Sequence, residues 1–308
     1  MPNLPTKFSW IQGVLLVLVL SAIFGYFFSN SSQLVLLPEM HKNLQRLNYN
    51  SLFSNNSEPE NDECRPLHEL IRQPVNPKLE ITDKTVIERN GIVNSSTCPE
   101  IMKNSKRKSP MMKKDDIEVF RRYLKQKKES QKCMSYVEWG SGGSTFVSLQ
   151  YATRILTIEN HKEWCDIITK DPLIQCAILD GQMVFACANG GQTKSMGSPM
   201  DMSHYTSEVY IDALTNFNFQ PDFVLIDGRF RVATALKSIE SSKKDSILLI
   251  HDYHNRKQYW DIERFFKPPS DYEKIGETVM GAFKKKDNID QKLLKDFIEK
   301  YASDKSRL

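Results

Sequence analysis

Two stretches place acids, histidines and arginines at the ends of apolar runs. The first, Asp222-Phe223-Val224-Leu225-Ile226-Asp227-Gly228-Arg229, is followed closely by Arg231, and the second reads Ile250-His251-Asp252-Tyr253-His254-Asn255-Arg256. A carboxylate beside an imidazole can take the proton of a weakly acidic hydroxyl, which suits Asp227, His251, Asp252 and His254 to acid–base work. Asp227 and Asp252 are equally the oxygen ligands a divalent cation uses. Residue type alone leaves both readings open. Arg229, Arg231 and Arg256 have the fork geometry to hold an anionic group of a substrate, and Arg229 could instead bridge structurally to Asp227 or Asp252.

A third stretch, Glu138-Trp139-Gly140-Ser141-Gly142-Gly143-Ser144-Thr145, follows another apolar run. Its glycines let backbone approach a ligand closely, and the helix expected to begin near Ser144 offers free amides. Glu159 ends the next run, 21 residues after Glu138, with Asn160 behind it. An acid there can accept the hydroxyls of a ribose. The dinucleotide fingerprint would want a third glycine where Thr145 stands.

Parallel strands have to position these groups. Tyr136–Trp139, Ile155–Ile158, Cys176–Leu179, Phe223–Ile226 and Ile247–Ile250 have the length and apolarity of buried strands. Helical spacing lies between them: Lys162 to Thr169, then Val209, Tyr210, Ala213, Leu214 and Phe217, then Val232, Ala235, Leu236 and Ile239. The expectation is a five-stranded parallel sheet with crossover helices, its ligand site at the carboxyl ends of the strands. Tyr272–Ile275 and Thr278–Phe283 about Gly276-Glu277 predict a terminal antiparallel hairpin. The long stretch from Asp180 to Tyr205 is either a lid or an ordinary variable insertion. Trp164 and Cys165 are expected to pack the second helix under the sheet.

The E-x-G-x-G turn with an acid ending the next strand resembles the class I S-adenosylmethionine-dependent methyltransferases. The resemblance covers residues 133 to about 285. It implies an α/β, Rossmann-like sheet that binds S-adenosyl-L-methionine through Glu138, Gly140, Ser141, Gly142, Gly143, Ser144, Glu159 and Asn160. The D-G-R and H-D-Y segments are similar to those of Golgi glucuronoxylan glucuronic-acid O-methyltransferases and of related bacterial methyltransferase-like proteins. That likeness implies O-methylation of a glycan hydroxyl in the Golgi or endoplasmic reticulum lumen. A small-molecule acceptor, a lumenal glycosyltransferase and a non-catalytic binding module are the alternatives.

The amino-terminal part agrees with such a compartment. No charged residue lies between Phe8 and Pro38, and Trp10 to Phe28 is long enough to span a bilayer core as one helix, with aromatics at both ends. The expected organisation is a cytosolic tail over 1–9, a signal anchor over 10–28, a stem over 29–112, the catalytic domain over 113–285 and a charged, solvated tail over 286–308. Asn30, Asn55 and Asn94 begin Asn-x-Ser sequons. Cys64 and Cys98 could close a stem loop, and the absence of any Cys-x-x-Cys spacing argues against a thiolate metal site.

Overall charge hides this arrangement. The 308 residues carry a net +4, yet Lys103 to Lys128 holds 11 basic residues against 3 acids. Asp115 and Asp116 start an amphipathic helix there, with Ile117, Phe120 and Leu124 on one face, so most of that charge is a solvated face. A hydrophobic fraction of 40% excludes a disordered chain, a collagen-like repeat and a multi-pass membrane protein.

Overall fold

The computed structural model describes residues 64–72, 75–106 and 108–303. The expected anchor over 10–28, the tail before it, Asn30 and Asn55 lie outside the described residues. Among the described residues, no helix is long and apolar enough to cross a membrane.

Among the same residues, eight strands form one mixed sheet: β1 (Leu79–Thr82), β2 (Ser135–Trp139), β3 (Arg154–Glu159), β4 (Met183–Ala188), β5 (Phe223–Ile226), β6 (Ile247–Ile250), β7 (Phe266–Lys267) and β8 (Gly281–Lys285). Their order is β1-β4-β3-β2-β5-β6-β8-β7. β2 to β6 run parallel, whereas β1 and β8 pair antiparallel at the two sides. Every residue of the five parallel strands is buried, so both faces of the sheet must be covered. The chain order reverses between β2 and β5, because β3 and β4 extend one way and β5 and β6 the other. Crevices at such a switch point are where open α/β sheets bind ligands. The protein therefore has a Rossmann-like α/β fold.

The helices described around the sheet are α1 (Lys84–Asn90), α2 (Cys98–Asn104), α3 (Lys114–Ser130), α4 (Gly143–Ser148), α5 (Lys162–Thr169), α6 (Pro172–Leu179), α7 (Glu208–Ile211), α8 (Arg231–Ser241) and α9 (Gln291–Ser303). Strand alternation separates two cores. Tyr136, Ile155, Phe223, Leu225 and Leu249 meet Val119 and Phe120 of α3 and Phe146 of α4, while Val137, Trp139, Leu156, Val224 and Ile226 meet Val232, Ala235 and Leu236 of α8.

Several expectations change. Cys176–Leu179 belongs to helix α6, and the third parallel strand is Met183–Ala188. Pro172 and the Asp171 cap on Leu173 start that helix, and burial on all sides removed the polar stripe that would have marked it. Residues assigned to a stem fold into the unit: Leu67 and Leu70 are buried, and β1 pairs with β4. The tail is not all solvated, since Leu294, Tyr301 and Ala302 of α9 join the α8 core. β8 pairs with β6 and the two-residue β7, not across Gly276. The reason lies in Asp115 and Asp116, which bind the amides of Glu277 and Val279 and divert that segment from strand pairing. All six cysteines pair, as Cys64–Cys133, Cys98–Cys176 and Cys165–Cys187, so the Cys64–Cys98 loop is not formed.

Candidate active site at the strand ends

The turn after β2 is locked from below. Glu138 is fully buried, and its carboxylate accepts from Thr145 Oγ1 at 2.5 Å, Ser144 Oγ at 2.8 Å, Thr157 Oγ1 at 2.9 Å and the Tyr136 hydroxyl at 3.0 Å. Burial pushes its pKa up to about 7 against the pull of these four hydroxyls. A carboxylate so enclosed shapes the turn from within. Gly140, at φ +96°, lies so close to Gly228 that a Cβ would stand 2.7 Å from its nitrogen. The turns after β2 and β5 are thus packed backbone to backbone, and the Asp227 and Gly228 amides both donate to the Trp139 carbonyl. Gly143 lies under Pro110, whereas a Cβ at Gly142 would meet nothing within 4 Å. Gly142 is the open floor of the turn.

Glu159, at the end of β3, ties to this turn. One carboxylate oxygen accepts from the amide and hydroxyl of Ser141, both at 2.9 Å, and the other from the amides of Asn160 and His161. Trp164 of α5 donates its indole N–H to the Ser141 carbonyl at 2.9 Å, a role beyond the packing that sequence assigns it. Asn160 is buried and gives its amide to the Gly197 carbonyl and the Tyr205 hydroxyl. Of the candidate lid over Asp180–Tyr205, Met183–Ala188 is β4; the remainder, residues 189–205, rests on the end of β3, and its Met196 carbonyl accepts from Arg229 Nε at 2.8 Å. Through these contacts the segment reaches both the end of β3 and the turn after β5, the strands on either side of β2.

On the other side of the switch point, the ends of β5 and β6 bring Asp227, His251 and Asp252 together. His251 Nδ1 lies 2.8 Å from Asp227 Oδ1 and 3.9 Å from Asp252. Asp252 holds a left-handed φ of 62°, unusual for a residue with a side chain, and its Oδ2 accepts from both Arg231 and Arg256 at 2.9 Å. Burial raises its pKa, but the two guanidiniums and His251 outweigh that and hold the carboxyl below its ordinary range. Arg231 also bonds the carbonyls of Gly228, His251 and Asp227 and the Asp227 carboxylate. All five of its N–H donors are thereby engaged, so Arg231 is an internal strut and not a substrate fork. Arg256 keeps a more exposed position, between Asp252 and the Tyr259 hydroxyl.

Two expected members point elsewhere. His254 pairs with the Tyr272 hydroxyl at 2.7 Å, and burial followed by the Lys274 charge lowers its pKa. Arg229 donates to the Met196 carbonyl instead. Nor does the donor set suit a divalent cation on Asp227 and Asp252: such an ion wants an uncrowded oxygen cage, and guanidiniums already occupy both carboxylates. Among the described residues, no group of three or more His, Cys, Asp or Glu side chains is arranged to hold a metal ion.

Asp116 was missed. It is fully buried in the first turn of α3, with Oδ1 accepting from Thr278 Oγ1 at 2.7 Å and the Val279 amide at 2.8 Å. Its Oδ2 has no hydrogen-bond partner and lies 3.5 Å from His251 Nε2. Its spacing from Val119, Phe120 and Tyr123 puts it on the buried stripe of the helix, a signal obscured by reading both aspartates as first-turn acids.

No protein-family model matches the chain, and no curated protein does. Solved structures of similar arrangement include a methyltransferase-like protein from Silicibacter pomeroyi, 23% identical over 64% of this chain and 99% of that one, with a TM-score of 0.48. An S-adenosylmethionine-dependent O-methyltransferase from Thermotoga maritima is 13% identical over 62% of this chain and 72% of its own, with a TM-score of 0.36. The N-methyltransferase NodS from Bradyrhizobium japonicum, in complex with S-adenosylhomocysteine, is 10% identical over 63% and 99%, with a TM-score of 0.32.

Proposed function

We propose that this protein transfers a methyl group from S-adenosylmethionine to a hydroxyl oxygen of a glycan in the Golgi lumen. The carrying observation is that the glycine-rich turn, the acid ending the next strand and the Asp227–His251 pair share one switch-point edge of the sheet. Cofactor fits the first half of that edge. Gly142 leaves open floor, and the Ser141 hydroxyl on Glu159 is a rotatable group that a ribose hydroxyl can replace one for one. Gly140 to Ser144, Glu159 and Asn160 would hold it. When bound, it supplies an electrophilic methyl on sulfur. The protein's own part is to fix the acceptor oxygen in line with that methyl and to take its proton, tasks for which Asp227, at the mouth of the cluster, is placed.

Calorimetric titration with S-adenosylhomocysteine tests this reading. Micromolar binding by the wild type is expected, and Gly142→Ala should weaken it about tenfold or more, roughly 1.4 kcal/mol, with little change in melting temperature. No binding at millimolar ligand would sink the proposal, and equal affinity in the variant would move the ligand away from the turn.

Three disulfides that use every cysteine support an oxidising compartment. The anchor expected over 10–28 supports a membrane-tethered protein there. Asn94 is exposed in the turn before α2, its side chain bonded to the Ser96 hydroxyl of its own sequon. In a eukaryotic host, endoglycosidase should increase the mobility of the full chain, and Asn94→Gln should remove one such step. A wild-type chain unchanged by the enzyme would count against a lumenal domain.

A further inference from the structure

We propose that Asp116 and Asp227 clamp His251 between them with a proton on each ring nitrogen, which makes Asp227, and not His251, the base that meets the acceptor hydroxyl. The role given to Asp227 rests on the methyl-transfer reading; the clamp itself does not. Both ring nitrogens face carboxylates, Nδ1 at 2.8 Å from Asp227 and Nε2 at 3.5 Å from Asp116. A neutral imidazole would turn one lone pair toward a carboxylate oxygen. Asp116 cannot swing away, because the Thr278 hydroxyl and the Val279 amide fix its other oxygen. Its Oδ2 is buried with no other hydrogen-bond donor, a costly state unless His251 supplies the compensating charge.

The surrounding charges agree. Asp116 reaches His251 from α3, Asp227 from the end of β5, Arg231 from α8, and Asp252 with Arg256 from the turn after β6. Three carboxylates against two guanidiniums leave one negative charge, which an imidazolium cancels. His254, the nearest other histidine in sequence, is turned to Tyr272. Burial alone would lower the pKa of His251, but the hydrogen bond and charge of Asp227, with the charge of Asp252, raise it.

The chemical consequence concerns the lone pair. An imidazole protonated on both nitrogens has none to accept a proton, and Asp116 is out of reach of any acceptor. Asp227 has a quarter of its side chain exposed and is the reachable carboxylate of the histidine's two partners. As the acceptor oxygen forms its bond to the methyl carbon, the S–C bonding pair stays on sulfur, and the hydroxyl proton passes to Asp227 and then to solvent. Asp116 is a positioning residue in this scheme. Because the folded-state pKa of His251 is raised, its contribution to stability is full below the unfolded value and fades as pH rises through the folded one.

Nitrogen NMR of the imidazoles in the full chain tests the clamp, with His251→Gln to assign the signal. At pH 7 both ring nitrogens of wild-type His251 should be protonated, and Asp116→Asn should lower its proton affinity about tenfold or more, the usual effect of a removed counter-charge. Turnover in that variant should fall and its pH profile shift, while S-adenosylhomocysteine affinity holds. A neutral His251 in the wild type, or a titration unmoved by Asp116→Asn, overturns the proposal. The wild-type spectrum decides even if the variant does not fold. Failure to bind S-adenosylhomocysteine with His251 doubly protonated would remove the functional reading and leave the clamp standing.

Discussion

Asp227→Asn is expected to reduce turnover by about 10²- to 10⁴-fold, the span that a positioned proton acceptor contributes. The substitution is close to isosteric. The amide oxygen it introduces can still accept from His251 Nδ1, and Arg231 retains Asp252 and three carbonyls, so the turn after β5 should keep its shape. Gly140 and Gly228 should remain packed, and with them the cofactor half of the site. S-adenosylhomocysteine affinity should therefore stay near the wild-type value while methyl transfer to the acceptor is lost. A calorimetric titration beside a labelled-methyl assay separates the two quantities. Full activity would move the base to another group, and lost affinity would make Asp227 part of the cofactor site.

The second large effect concerns stability. Removing the Cys98–Cys176 bridge by Cys98→Ser with Cys176→Ser frees a loop of 78 residues. Chain entropy alone assigns such a closure about 4 kcal/mol. For a unit of this size that corresponds to a fall in melting temperature of roughly 8–16 °C. The bridge joins α2, a seven-residue helix too short to persist unaided, to α6, which is buried from Leu173 to Leu179. Thermal unfolding by circular dichroism measures the loss, and a non-reducing peptide map checks the pairing. A map that joined Cys64 to Cys98, or a double variant as stable as the wild type, would refute this account.

The elements legible in the sequence were those with one local signature. Ile155–Ile158, Phe223–Ile226 and Ile247–Ile250 read as strands because uninterrupted β-branched and aliphatic residues of that length suit a sheet covered on both faces. The same logic failed at Cys176–Leu179, where a helix buried on all sides loses its polar stripe and looks like a strand. Glu138 looked like a ligand contact, since an acid before a glycine turn is chemically conspicuous. Only the packed structure shows four hydroxyls closing over it.

The catalytic half of the site divides in the same way. Asp227, His251 and Asp252 were recoverable because each follows a strand that must end at one edge of a parallel sheet. Asp116 was not, since it lies more than 100 residues earlier in what reads as a charged helix start. What brings it to His251 is the packing of α3 beneath β5 and β6, together with the detour of Thr278 and Val279 toward its carboxylate. Arg229 and Arg231 are alike in sequence and two residues apart, yet one donates to the Met196 carbonyl and the other braces Asp252 as a strut.

Sequence by itself determined most of the alternation of strand and helix, the edge at which chemistry gathers and the residues that end β2, β3, β5 and β6. These follow from hydrophobic periodicity and the direction of parallel strands, which are local or nearly so. Tertiary structure alone decided the cysteine pairing, the inclusion of residues 64–72 and 75–106 in the folded unit, the enclosure of Glu138 and the meeting of Asp116 with His251. Each depends on contacts between segments far apart in the chain, where packing and the need to satisfy buried polar groups select among partners that composition leaves equivalent.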